Sequence, residues 1–273
     1  EILAVCTAFF FLHRSLSTKK NNILAVVYVL IVALTSYQFM NLARFGWPFY
    51  WGLYYGLAVA FRIFGILFII KNKPWAATIT LSIAVMIHPI MAGIAIFSGL
   101  ALILFKGIKT IRSYVIPFIT MSIPLFCWIY IMYVGDTIFV GTIPTDSYIF
   151  LTKLFQSHWY PMISGAFNSL QFVHLLPTIS IMMLYVMISL TNQGAKSTSS
   201  EIHIIILSSA LLTTLGVLAS FSDNVFLIKL SLHRASNFMV AIALIPISIK
   251  LWNDIFNAKI LFRCIALYLI LSP

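Results

Sequence analysis

The sequence predicts an all-α, polytopic transmembrane helical bundle, and three observations carry that expectation. Charged side chains make up 8% of the 273 residues and hydrophobic ones 62%, whereas a water-soluble domain carries roughly 25% charged residues. So little charge cannot solvate a surface facing water, which leaves lipid as the solvent for most of the chain. Stretches such as 23–40 (ILAVVYVLIVALTSYQFM) and 203–219 (HIIILSSALLTTLGVLA) are apolar on every face. The strands of a membrane barrel would instead alternate apolar and polar. In hydrocarbon the backbone must bond to itself, and a helix does so within one segment.

Apolar segments fall near 1–12, 23–40, 49–70, 75–87, 90–105, 113–133, 171–190, 203–220, 237–252 and 260–272. They predict about nine to ten hydrophobic segments forming a single integral-membrane domain over 1–273. The chain opens at Glu1 inside an apolar stretch and closes in another, ILFRCIALYLILSP, so it reads as a piece of a longer membrane protein. No basic n-region or small-residue cleavage site marks a signal peptide.

The net charge of +11 does not point to nucleic acid, because no basic stripe is available to track a phosphate backbone. The basic residues read as topology. With loop 13–22 placed in the cytoplasm, alternation puts Arg14, Lys19, Lys20, Lys71, Lys73, Lys106, Lys109, Arg112, Lys196, Lys250, Lys259 and Arg263 on the same side. Arg44, Lys153, Lys229 and Arg234 fall outside, and Arg62 lies within a span. Such asymmetry is what the positive-inside rule expects.

Residues 83–97 (IAVMIHPIMAGIAIF) place a His-Pro pair inside a longer apolar run. As one helix, Trp75 to Phe105 would be about 46 Å long, against a hydrocarbon core of roughly 30 Å. Both flanks, KNKP and KGIKTIR, are basic and belong on one side. The expectation is a hairpin of two shortish helices with His88-Pro89 at its tip, since a helix ends naturally before proline. Gly93 would ease the return, and His88 would line a cavity below the outer surface.

Residues 134–170 predict an external loop, with 147–156 (SYIFLTKLFQ) as an interfacial helix and HWYP as a break. Trp159 and Tyr160 suit the headgroup level. The three cysteines, Cys6, Cys127 and Cys264, lie in apolar segments and read as small buried hydrophobes.

Few residues are equipped for chemistry. Of six acids none lies mid-span, which argues against a proton-coupled transporter with an intramembrane carboxylate relay. Asp136, Asp146 and Asp223 lie outside and are the candidates for an external base or metal ligand; the first two equally suit turn formation, and Asp223 a helix or turn cap. No cofactor motif is present, and a divalent metal at these acids stays open. Arg62 sits about 13 Å from the inner boundary, where a cation costs at least ~2.5 kcal/mol. It is either a binding residue or a structural, snorkelling one, partnered by carbonyls, a preceding segment or a lipid phosphate. The densest polar stretch at the outer face is KLSLHRAS, 229–236. There Lys229, His233 and Arg234 suit either an anionic group such as phosphate or plain headgroup contact. His158, His174, His203 and His13 carry weaker signals.

The stretches KNKPWAATITLSIAVMIHPIMAGI and LSLHRASNFMVAIALI resemble, in pattern, bacterial polytopic proteins of the GT-C-like class, membrane glycosyltransferases that use lipid-linked sugars. The first is a basic turn leading to a short helix ending in His-Pro; the second is a basic outer loop opening a late span. About half the chain is covered in pattern, and the acidic Asp-x-Asp motif usual on the first external loop has no match. The resemblance implies a multi-pass protein of the bacterial inner membrane with an outer cavity for a polyprenyl-phosphate sugar. Arg234 and Arg44 would neutralise the phosphate, an acid would activate the acceptor hydroxyl, and His88 would line the acceptor side. A transporter or flippase for a lipid-linked or anionic solute has the same broken helices and basic cavity, and a non-catalytic envelope-assembly subunit also fits. Sugar, acceptor and oligomeric state are not encoded legibly.

Overall fold

A computed structural model describes residues 1–17, 21–39, 55–137, 145–155, 160, 163–164, 169–170, 176–191, 199–222 and 224–256. They are almost wholly helical. The helices are α1 (Ile2–Leu16), α2 (Asn22–Phe39), α3 (Tyr55–Ile70), α4 (Pro74–Ile87), α5 (Pro89–Lys106), α6 (Ile108–Thr137) and α7 (Thr145–Phe155). After a two-residue antiparallel pairing of Ile163–Ser164 with Ser169–Leu170 come α8 (Leu176–Ser189), α9 (Ser200–Ala219), α10 (Val225–Leu230), a 3₁₀ turn (Leu232–Arg234) and α11 (Ala235–Phe256).

Four runs are long and apolar enough to cross a membrane: Pro89–Lys106, Ile108–Cys127, Ser200–Ala219 and Phe226–Asn253. Ile2–Leu16, Asn22–Ala33, Gly56–Ile70, Pro74–Ile87 and Leu176–Ser189 are apolar but shorter. Apolar helices therefore occupy nine of the ten segments read from the sequence, the tenth (260–272) lying outside the described residues, but nine to ten crossings do not follow from them. The outer surface is that of a membrane protein. Side chains such as Leu104, Ile116, Phe126 and Leu207 are each at least 66% exposed, an apolar surface that in water would drive association.

The hairpin is present. His88 is at once the C-cap of α4 and the N-cap of α5, with an extended backbone (φ −153°, ψ 95°) of the kind a following proline imposes. The far ends of the legs meet: Lys106 Nζ, at the end of α5, donates to the carbonyls of Ile69 (3.0 Å) and Ile70 (2.7 Å) and to Asn72 Oδ1 (3.0 Å), just before α4 begins. The lysine thus satisfies the orphan carbonyls at the C-terminus of α3 and lies favourably on its dipole. Asn72 takes a left-handed conformation and Pro74 sits at the first position of α4, a stop and a start that suit these residue types. Gly93 plays no part in the return. It lies within α5, and a Cβ there would meet nothing.

Helix α11 is the centre of the bundle, packed against α9, α8 and α2. Every residue from Ala235 to Ile249 is buried, which accounts for its being apolar all round. Tyr28 of α2 donates its hydroxyl to the Ala241 carbonyl (2.9 Å). Helices α5 and α9 are joined by serines: Ser208 donates to Ser98 (3.0 Å), and Ser98 also meets Ser209 (3.3 Å). Small, hydroxylated contacts of this kind suit helix pairing in lipid, at about 0.6 kcal/mol each.

Some expectations are corrected. Helix α6 runs to Thr137, so Asp136 belongs to its last turn and not to a loop; its side chain lies outside the described residues. A helix, α7, covers most of the stretch 147–156. Tyr160 is buried against protein: it packs on Ile228, and its hydroxyl meets Thr152 Oγ1 at 2.8 Å. Cys127 is exposed. His13 is fully buried with its ring beside Tyr28, and His203 pairs with the Tyr185 hydroxyl.

If Lys106 locks the hairpin, Lys106→Met should lower stability by about 1.5–3 kcal/mol, the worth of hydrogen bonds from a charged group. Lys109→Met, on an exposed neighbour, should stay within about 0.5 kcal/mol. Reversible unfolding in mixed micelles measures both.

Candidate functional site: a buried cationic cluster

Arg62 comes from the middle of α3, eight residues or about 12 Å from the helix end at Ile70. It is fully buried. Its Nη1 donates to Met91 Sδ of α5 (3.6 Å), and the guanidinium lies 5.3 Å from the ring centroid of Phe238 on α11. A desolvated cation–π contact contributes about 2 kcal/mol, comparable to the ~2.5 kcal/mol insertion cost of the cation. One turn of α5 away is His88, 7% exposed. The charges of both Arg234 and Arg62 act on its ring. Arg62 and Arg234, far apart in sequence, therefore both lie within electrostatic reach of His88.

The backbone explains how Arg234 gets there. Helix α10 is capped by Asn224, whose Oδ1 accepts from Leu227 N (3.2 Å). It stops at Ser231, which adopts a left-handed conformation (φ 43°), and the chain turns inward through Leu232–Arg234. His233 is 0% and Arg234 5% exposed. The 3₁₀ turn rests directly on α9 at Gly216, where a Cβ would overlap the His233 nitrogen and the Leu232 carbonyl carbon. Gly216 is a positioning residue that no sequence signal singled out beyond its being a glycine in a span.

This divides the KLSLHRAS cluster expected at the outer face. Lys229 is exposed, its Nζ 5.0 Å from the centroid of the Tyr148 ring on α7, while His233 and Arg234 turn into the bundle. Asp146 lies in the first turn of α7 and is exposed; no described contact brings it to the cluster. Arg44 and Asp223 lie outside the described residues. Among the described residues no three His, Cys, Asp or Glu side chains gather to hold a metal.

His88 also changes role. Its Nδ1 accepts the Met91 N–H (3.3 Å), which places the proton of the neutral ring on Nε2. His88 is then suited to donate a hydrogen bond from Nε2, not to take a proton at Nδ1. Two helix N-termini, those of α5 at His88 and of α11 just after Arg234, add their positive ends to the guanidinium groups. Together these groups favour an anion with several acceptor oxygens.

The chain matches no family model, no curated protein and no solved structure. The chemistry of the cluster is therefore the basis for a functional reading.

The two glycines give opposite expectations. Gly216→Ala should cost about 1–3 kcal/mol, as overpacking does, and should displace the His233–Arg234 turn. Gly93→Ala, in a helix with open space, should be stabilising by about 0.5–1 kcal/mol. Unfolding midpoints of the two variants check the contrast.

Proposed function

We propose that this chain binds the phosphate of a polyprenyl-phosphate-linked sugar at the Arg62, His88, His233 and Arg234 cluster, and that the sugar passes to an acceptor in envelope polysaccharide or glycoconjugate assembly. The observation that supports the reading is the convergence of α3, α5 and the 3₁₀ turn on one buried site. Two guanidinium groups near His88, a neutral His88 donor and two helix N-termini would neutralise charge developing on a leaving phosphate, and they act most strongly where water is excluded. In such a scheme the residues of the cluster bind and stabilise the leaving group. The base for the acceptor hydroxyl is not among the described side chains of the cluster; Asp136 and Asp146 are the acids assigned to that task by the sequence. The resemblance of the two quoted stretches to GT-C-like glycosyltransferases is consistent with this division of labour.

A second reading has its own observation. The break between α4 and α5 lies beside the cations, and broken helices whose N-termini face an anionic solute are the usual architecture of a transporter site. A flippase for the same lipid-linked phosphate would use the cluster without breaking a bond.

The test uses the chain in nanodiscs with a radiolabelled polyprenyl-phosphate sugar and envelope acceptor. Arg234→Met should weaken donor binding about ten- to 150-fold, the value of hydrogen bonds to a charged group, while Lys229→Met should leave it unchanged. Sugar transfer by the wild-type chain supports the transferase. Binding with movement of the donor between leaflets and no transfer moves the reading to the flippase. No binding, or equal loss in the two variants, overturns both.

A further inference from the structure

Away from the cationic cluster, α4, α5 and α6, with Ile69 of α3, line an open apolar cavity of about 390 Å³, within the roughly 300–1,000 Å³ of small-molecule sites. It runs from Ile69, Leu104 and Tyr114 at one end to Val85, Ile96 and Leu125 at the other. From Tyr114 to Leu125 is eleven residues of α6, about 16 Å, or close to half the roughly 30 Å hydrocarbon core. The cavity is one leaflet deep.

A second observation marks its end. Tyr114 lines the cavity, is 7% exposed, and its buried hydroxyl has no hydrogen-bond partner among the described residues. An unpaired buried hydroxyl is costly, and a phenol donates readily to a carbonyl. Just beyond it stand exposed cations: Lys109 and Arg112, five and two residues earlier on α6, and Lys71 and Lys73 at the α3–α4 turn. Tyr114 therefore lies about 3–8 Å deeper than the cations of its own helix, as an ester carbonyl lies below a headgroup. Lys106 at the same end is engaged with α3 and with the charge of Glu201, so it is not counted among them.

We propose that this cavity holds one acyl chain of an anionic glycerophospholipid from the leaflet at the basic end. The ester carbonyl accepts the Tyr114 hydroxyl, and Lys71, Lys73, Lys109 and Arg112 face the headgroup phosphate. Apolar walls bind the tail, the phenol fixes its depth, and the cations select its charge. The lipid wedges α6 against the hairpin, at the helix that is least buried of the four long spans. This site is separate from the cationic cluster and does not rest on the proposed sugar-lipid chemistry.

The experiment is native mass spectrometry of the chain released from nanodiscs of equal phosphatidylglycerol and phosphatidylcholine. The wild-type chain should retain one phosphatidylglycerol and prefer it by at least about tenfold, for several surface cations acting together. Lys109→Gln with Arg112→Gln, both exposed, should bring the preference to near equality. Tyr114→Phe should lower retention about three- to tenfold, the worth of one hydrogen bond. Ser122→Trp, filling the cavity wall, should abolish it. Equal retention of both lipids by the wild-type chain, or wild-type retention in Ser122→Trp, overturns the proposal.

Discussion

Proline at position 89 can donate no backbone hydrogen bond and holds the residue before it extended, and most of the described bundle follows from that constraint. Because His88 is extended, α4 and α5 are two helices and not one 46 Å rod, and Lys106 returns to the end of α3. Because Pro89 starts a new helix, a positive helix end and the Met91 sulfur are brought to the depth of Arg62. The break that answers the mismatch between chain length and membrane thickness also builds one wall of the site.

The second constraint is the scarcity of polar partners in hydrocarbon. The contacts of Arg62 include a sulfur and an aromatic face, groups that cost little to bury and still attract a cation. Tyr28 and the Ser98, Ser208 and Ser209 set join helices through hydroxyl groups for the same reason. Tyr114 is the contrast: a hydroxyl at a cavity wall whose need for an acceptor a lipid ester would meet. Apolar surface sets where the helices lie, and these few polar contacts set which faces meet.

How much of this was legible depends on the range of the interaction. The hairpin could be read from residues 71–112 alone, because it follows from a local proline, a length and the charge of two flanks. Helix α7 was legible from spacing within ten residues. The convergence on Arg62 was not, because Met91 and Phe238 are ordinary apolar residues in distant spans and only packing makes them partners. The burial of His233 and Arg234 was not legible either, because a basic pair before a span usually does meet headgroups. The left-handed Ser231 and the close approach at Gly216 send the chain inward instead. The turn reading of Asp136 rested on VGDT being a common turn composition, yet α6 continues through it.

The central claim is that the guanidinium groups gathered at His88 hold a phosphate inside the bundle. Its most direct measurement is the dipolar coupling between ¹⁵N-arginine side chains and the ³¹P of a polyprenyl phosphate, by solid-state NMR on the chain in phosphate-free lipid. Coupling at hydrogen-bonding distance, assigned by its loss in Arg234→Met and its persistence in Arg112→Gln, is the result the account predicts. Coupling that vanishes in Arg112→Gln and survives in Arg234→Met would contradict it.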